Sequence, residues 1–386
     1  MYGAAMDSRI SAAEAASRLG VKRETLYAYV SRGMLGSERD PDGRRSTFSS
    51  DEVAAMAARS RRGGRAGGLE VVVASGITLL RDGELRYRGV DIHDLVPDTP
   101  FEAVAEWLWS ATFPEVPPVW PSVATPPPEL DAGIDRMRIA VALAGDPLRY
   151  DLSTPAVVRA GRRIIAAMVD SLPPRRPASG GAIAARVAAA VATEHEQVVN
   201  AVLVLLADHE LAASTFAARV AASVRADPYS VIGTGLGVIA GALHGAASQP
   251  VVALLEEIGT VGREEKVVGD LLRRHERVSG LGHKVYKTTD PRAEILLDLL
   301  RDANLPGAKW EVVEALLALC RERFTQVVNI DFALGAFVWA AGLDLDAAEC
   351  LFAIARTAGW LAHAIEEYGE EPLRFRPRAV YTGPGP

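Results

Sequence analysis

Between residues 181 and 224 the chain reads GAIAARVAAAVATEHEQVVNAVLVLLADHELAASTFAARVAASV. Alanine, valine and leucine recur there at helical spacing, with turn signals between the runs, which predicts packed helices rather than strands. The segments PFEAVAEWLWSAT and PAVVRAGRRIIAAMVDSL repeat the pattern. Ala- and Leu-rich segments joined by Pro- and Gly-bearing loops imply a large all-α body. With 386 residues the chain can bury a sizeable core and divide into more than one domain. Its apolar runs, AVLVLLA (201–207) and GVIAGAL (237–243), have the length of core helices and fall short of a bilayer, so no membrane partner is expected. MYGAAMDSRISAAEAASRLG at the N-terminus lacks an apolar core, so no leader is expected. Only Cys320 and Cys350 are present, too few for a disulfide framework or a thiolate metal site, and a reducing cytoplasm is the expected compartment. VPPVWPSVATPPPEL (116–130) reads as a Pro-rich surface connection.

Charge divides the chain unevenly. Residues 1–66 hold twelve Lys and Arg against eight Asp and Glu, whereas the whole chain has a net charge of −7. A small basic head on an acidic body suggests two modules with different partners. SAAEAASRL (11–19) predicts a short helix with Ser11 as N-cap and Glu14 at the capping-box position. KRETLYAYVSRG (22–33) predicts a second helix stopped by Gly33. A turn at DPDG, a short strand and a third helix capped near Ser50 follow, and RRGGRAGG (61–68) reads as a hinge. AAEAASRLGVKRETLYAYVSRGML followed by GRRSTFSSDEV resembles the winged helix-turn-helix of MerR-type and excisionase-like proteins. That resemblance implies DNA as a partner, with Lys22, Arg23, Thr25 and Tyr27 on the helix facing the major groove and Arg44 and Arg45 on the wing near phosphates. A docking or regulatory appendage that no longer touches DNA is the other reading.

From Leu69, LEVVVASGITLLRDGELRYRGVDIHDL alternates like short strands, with RDGE as the hairpin turn. Farther on, chemistry gathers around His209 in LADHELAASTFAARV, His244 in GALHGAASQP, and His283 in GLGHKVYKTTDPR (280–292). Asp331 interrupts the apolar run VVNIDFALG, where a carboxylate pairs structurally, caps a helix, or has its pKa raised to act as a base. Each signal alone reads as a satisfied core histidine or a polar loop. Metal binding is disfavoured because no HxxxH or HxH pair puts two ligands on one helix face. GTGLGVIAG (233–241) mimics a dinucleotide-binding loop, but with no βαβ unit around it, close helix packing explains its glycines better.

Taken in order, LADHELAASTFAARV, GALHGAASQP, GLGHKVYKTTDPRAEIL, VNIDFALGAF, ARTAGWLAHAIEE and RPRAVYTGP resemble the citrate synthase family, over about residues 68–386. The resemblance implies a mainly α, two-domain citrate synthase-like fold with a small N-terminal β-hairpin, preceded by the winged helix-turn-helix of residues 1–66. The large domain would comprise 68–245 and 343–386, and a small closing domain 246–342. It implies condensation of acetyl-CoA with oxaloacetate to citrate and CoA. Asp331 would be the base, with His244 and His283 as hydrogen-bonding acids on the thioester and ketone oxygens. His209, Arg292, Arg356 and Arg376 would bind oxaloacetate, the last across a homodimer interface. Val278, Gly280 and Leu281 would line the CoA adenine, with Lys284 and Lys287 near its phosphates. No metal or redox cofactor is expected. Two departures from the family's HExNAST and HGxANE patterns, Ala212 and Ser248 at the Asn positions (with Pro250 after Gln249), bear on substrate choice. The alternatives are a 2-methylcitrate synthase using propionyl-CoA, a secondary-metabolism paralogue with another keto acid, and a DNA-binding regulator sensing CoA esters or oxaloacetate.

Overall fold

The computed structural model describes residues 9–19, 26–27, 29–30, 35–39, 46–54, 72–116, 118–123, 130–241 and 244–377. Lys22, Arg23, Thr25, Arg44 and Arg45 lie outside these, as do Gly33, the DPDG turn and the Gly/Arg hinge. The chain forms two compact units, residues 1–74 and residues 75–386.

In the first unit, β1 (Arg9–Ser11) leads directly into α1 (Ala12–Leu19), and β2 (Glu38–Arg39) and β3 (Ser46–Ser49) complete a three-stranded antiparallel sheet in the order β1-β3-β2. Ser11 caps α1 as expected, its Oγ accepting the Glu14 N–H at 3.2 Å. The reciprocal half of the capping box is missing, because the Glu14 carboxylate turns to Arg18 one turn on, at 2.7 Å. Residues 50–54 are helical, and their cap, expected near Ser50, is Ser49, which accepts the Glu52 N–H at 3.3 Å. Ile10, Ala15, Leu26, Leu35, Phe48 and Val53 close a small core. Tyr27 stays exposed, its ring edge against Phe48.

The second unit opens with the expected hairpin. β4 (Thr78–Arg81) pairs with β5 (Glu84–Tyr87) through the two-residue turn Asp82–Gly83, where Gly83 takes φ +73, and β6 (Val90–Asp91) adds an edge. Everything after it is helical. α2 (Ile92–Leu95), α3 (Phe101–Ser110), α4 (Gly133–Leu143) and α5 (Thr154–Asp170) come first. The Ala-rich stretch 181–224 resolves into α6 (Ile183–Ala190), α7 (Glu196–Leu206) and α8 (Ala213–Ser223). α9 (Pro228–Ile239) precedes a 3-10 turn at Gly245–Ser248 and α10 (Gln249–Ile258). α11 (Glu264–Arg273), α12 (Pro291–Asp302), α13 (Gly307–Arg323), α14 (Ile330–Ala340) and α15 (Ala347–Tyr368) complete the unit.

α15 is the axis of this body. It packs on α3, α4, α5, α7, α8, α9 and the 3-10 turn, and it is buried on nearly every face. A helix enclosed on all sides needs small residues where neighbours press close and polar partners wherever it is charged. Gly359 shows the first requirement: a Cβ there would collide with Asp208 Oδ1 and come 2.6 Å from Ala207 O. α9 corrects the reading of GTGLGVIAG. Gly235 does pack tightly, since a Cβ there would come 2.7 Å from the Trp360 indole, but Gly233 and Gly237 face open space. Asp227 caps the helix and Pro228 begins it, so no phosphate loop exists here. Among the described residues no helix is long and apolar enough to cross a membrane.

Candidate active site

Asp331 is the second residue of α14, but it does not cap that helix. Asn329 does, its Oδ1 accepting the N–H groups of Asp331 at 3.0 Å and Phe332 at 3.3 Å. The Asp331 carboxylate is therefore free of helix duty. Among the described residues its one side-chain hydrogen bond comes from Ser248 Oγ at 3.4 Å. Burial raises its pKa, and the pull of Arg292 and of Ser248 in the other direction does not cancel that rise.

The same Asn329 ties down the loop that carries His283. Its N–H donates to Gly280 O at 2.9 Å and its Nδ2 donates to Gly282 O at 2.9 Å, while Leu281 bridges Val328. Gly280, at φ +81, lies so close to Phe332 that a Cβ would sit 2.6 Å from that residue's Cβ. Only glycine meets both conditions. Loop and helix start are thus one fixture, which holds His283 and Asp331 in register.

The tautomer of His283 follows from geometry. Its Nδ1 accepts the N–H groups of Val285 (3.1 Å) and Tyr286 (3.2 Å), and backbone N–H groups only donate. Nδ1 presents its lone pair, so the ring proton is on Nε2. Burial, reinforced by Arg292, lowers the pKa to about 4, so at neutral pH His283 is a neutral Nε2–H donor. Its ring stacks on Tyr286, with centroids 4.7 Å apart, and meets His209 edge-on at 5.2 Å. His209, in the turn between α7 and α8, lies 3.3 Å through Nε2 from the Tyr286 hydroxyl, and burial holds its pKa well below the usual histidine value.

His244 approaches from the end of α9. Ser214, fully buried at the start of α8, meets its Nε2 at 2.7 Å, and burial followed by Arg356 lowers its pKa to about 4. Phe352 on α15 joins His244 (ring centroids 5.6 Å apart) to Arg356, whose guanidinium lies 4.6 Å from the Phe352 ring.

The two buried arginines are held differently. Arg292 begins α12 and grips its own N-cap, with Nε 3.0 Å from Asp290 Oδ1 and Nη2 2.8 Å from Oδ2. One edge of its guanidinium is thereby fixed, and the plane lies over Tyr286. Arg356 donates Nε to the carbonyl of Leu206 at 2.8 Å and makes no ion pair among the described residues; burial lowers its pKa to about 10, which leaves it charged at neutral pH.

The remaining expected residues lie apart. Val278 is buried, Gly280 and Leu281 are half-buried in the loop, and Lys284 and Lys287 are exposed. Lys287 also braces the loop, donating Nζ to His283 O at 2.7 Å and its N–H to Asp82 on the hairpin turn at 2.7 Å. Arg376 is exposed on the tail beyond α15 and joins none of the cluster among the described residues. The neighbouring Arg374 chelates Glu367, and Phe375 packs on Phe216. No group of three or more His, Cys, Asp or Glu among the described residues is arranged to hold a metal ion.

Sequence reasoning missed a buried charged network beneath the site. Arg219 on α8 donates to Glu367 (2.7 Å), Glu366 (2.9 Å) and His363 Nδ1 (3.0 Å), all on α15. Guanidinium only donates, so the proton of His363 is on Nε2, facing Asp208 Oδ1 at 3.4 Å. Asp208 also accepts from Thr78 Oγ1 at 2.5 Å and from the Glu210 N–H at 3.0 Å. Burial raises its pKa, but His363 and the other partners reverse this, and the net shift is downward. Asp208 precedes His209 directly, and His363 follows Arg356 by two helical turns in ARTAGWLAHAIEE; both were visible, but neither had a role.

A model of the citrate synthase family, its C-terminal domain, matches residues 153–378, more than half of the chain. The chain belongs to the citrate synthase family. Citrate synthase 2 of Bacillus subtilis is 32% identical over 360 residues, covering 82% of this chain and 95% of the relative. 2-Methylcitrate synthase 1 of Corynebacterium glutamicum is 30% identical, covering 78% of this chain and 89% of the relative. Among solved structures, citrate synthase from Thermotoga maritima matches with a TM-score of 0.69 at 27% identity, covering 83% of this chain and 96% of that one. The Thermoplasma acidophilum citrate synthase, solved as a ternary complex with carboxymethyl coenzyme A and oxaloacetate, matches with a TM-score of 0.67 at 26% identity, covering 84% and 96%.

Proposed function

We propose that this citrate synthase family member condenses acetyl-CoA with oxaloacetate to give citrate and CoA. The observation that carries the reading is the pairing of an uncommitted carboxylate, Asp331, with a histidine whose backbone contacts make it an Nε2–H donor, His283. Asp331 takes the α-proton of the thioester. His244, held at Nε2 by Ser214, turns its Nδ1 edge to the thioester oxygen and stabilises the enol. The enol carbon attacks the ketone of oxaloacetate, polarised by His283, which supplies the proton for the alkoxide. Arg292 and Arg356 clamp carboxylates with their free N–H groups, beside His209. Citryl-CoA is then hydrolysed. These steps use side chains alone and call for no metal or redox cofactor.

The same reading makes Arg376 a third clamp, donated across a homodimer interface. Its exposure on the tail supports this, as does the outer face of α9, where Ser230, Gly233, Thr234 and Gly237 leave a flat strip beside exposed Ile139 and Leu143 of α4. Residues 246–342 would close on the large domain formed by 68–245 and 343–386; α10, α12 and α13 pack on α14 within that segment. The CoA adenine would lie along Val278–Leu281, with Lys284 and Lys287 near its phosphates.

Propionyl-CoA is the second acyl donor to weigh. Ala212 caps α8 with no side-chain bond where the family pattern has an Asn, and a 2-methylcitrate synthase is among the relatives. The test is release of free CoA from each thioester with oxaloacetate, for wild type and Asp331→Ala. Acetyl-CoA turnover lost by about 10²–10⁴-fold in the variant supports the reading. A faster reaction with propionyl-CoA moves it to 2-methylcitrate, and no CoA from either leaves a ligand sensor. For the first unit, the sheet and capped helix support a winged helix-turn-helix that binds DNA. Retention on duplex DNA at low salt that falls steeply as salt rises is its test, and no retention at low salt overturns it.

A further inference from the structure

Tyr286 touches three residues of the site and has no part in the reaction as described above. Its ring stacks on His283, supports the Arg292 guanidinium at 5.3 Å, and its hydroxyl reaches His209 Nε2 at 3.3 Å. We propose that Tyr286 is a positioning residue whose phenol donates to Nε2 of His209, setting that imidazole as the Nδ1–H tautomer and so making it a hydrogen-bond donor to the keto acid.

Hydrogen-bond satisfaction sets the direction of this contact. Tyr286 is fully buried, so its hydroxyl proton has no bulk water to bond. A buried O–H without an acceptor is costly, and His209 Nε2 is the acceptor within reach. The reverse assignment, with His209 Nε2–H donating to the phenol oxygen, strands the phenol proton. It also leaves Nδ1 as a lone pair, and oxaloacetate, which offers carboxylates and a ketone, has only acceptors to present to it. His209 holds a single ring proton at neutral pH, since burial and then the charges of Arg292 and Arg356 disfavour the second. One tyrosine thereby aligns three donors: Nδ1–H of His209, Nε2–H of His283 and the free edge of Arg292. A phenylalanine in its place keeps the ring contacts and removes only the tautomer control.

The consequence for oxaloacetate rests on the function proposed above, whereas the tautomer belongs to the ligand-free chain, and two measurements separate them. Nitrogen-15 NMR of histidine-labelled wild-type protein, with His209 assigned by its loss in His209→Gln, is expected to show a pyridine-like Nε2 and a pyrrole-like Nδ1. In Tyr286→Phe that preference is lost. A protonated Nε2 in wild type, or an unchanged His209 in Tyr286→Phe, overturns the proposal whether or not the protein turns over. In steady state, Tyr286→Phe is expected to raise KM for oxaloacetate about tenfold and leave KM for the acyl-CoA unchanged, the size of one hydrogen bond. Equal KM values for wild type and variant would also overturn it. Absence of all turnover with an NMR pattern as expected would instead sink the proposed reaction and leave the tautomer assignment standing.

Discussion

Two sets of buried charges share α15 and its neighbours, and they are built in opposite ways. In the lower set, Arg219 is bonded to Glu367, Glu366 and His363, Arg374 closes on Glu367 from the surface, and His363 faces Asp208, so that each buried charge meets an opposite charge or a donor. In the upper set, Arg356 has only a carbonyl, Asp331 only a long hydrogen bond from Ser248, and Arg292 only one edge engaged. Burying a charge without a full set of partners is costly, and a fold does not leave Arg356 without a counter-charge among the described residues, or one edge of Arg292 open, without a use. The lower set therefore holds the helices together. The upper set awaits a ligand with complementary charge, and a dicarboxylate with an activated carbonyl fits it.

This contrast is easiest to break from below. Arg219→Ala takes the guanidinium from Glu366 and from His363 Nδ1 and leaves Glu367 with Arg374 as its counter-charge, and is expected to destabilise the protein by about 3–5 kcal/mol. Denaturant unfolding read from the midpoint at constant slope checks this. A loss under about 1 kcal/mol would make the lower network ornamental.

A smaller effect should appear in the pH profile. Asp331 must be a carboxylate to accept a proton, and burial has already raised its pKa. The Ser248 hydrogen bond favours the charged form, so Ser248→Ala raises that pKa further. Activity falls as pH drops through the Asp331 pKa, so the acid limb should move to higher pH, by about half a unit for so long a bond. A limb that stays in place, or moves to lower pH, would remove Ser248 from the site.

The upper set was legible in the sequence because its members break local pattern. Asp331 interrupts an apolar run, and His283 sits among glycines, lysines and a DPR turn. The helical body was legible from its spacing. The lower set was not, because Arg219, His363 and Glu367 each read as one polar residue on a long helix, and only packing brings α8 and α15 together. Tyr286 stayed hidden for a related reason: three residues past His283 in an irregular loop, its ring direction follows from no period. Gly280 is required by its left-handed φ and its contact with Phe332 before any ligand arrives. The outward Gly233 and Gly237 were an error of one face, set by tertiary context that composition does not record.

The account turns on whether the unpaired cation of the upper set is held for a ligand. The deciding measurement is the denaturation midpoint of Arg356→Met, at fixed protein concentration, with and without oxaloacetate. Without ligand, the variant should be at least as stable as wild type, because an apolar side chain replaces a buried charge that has no counter-ion among the described residues. With oxaloacetate at about a hundred times its dissociation constant, wild type should gain about 2.7 kcal/mol and the variant almost nothing. A ligand-free variant as unstable as Arg219→Ala, still stabilised by oxaloacetate to the wild-type extent, would contradict the account.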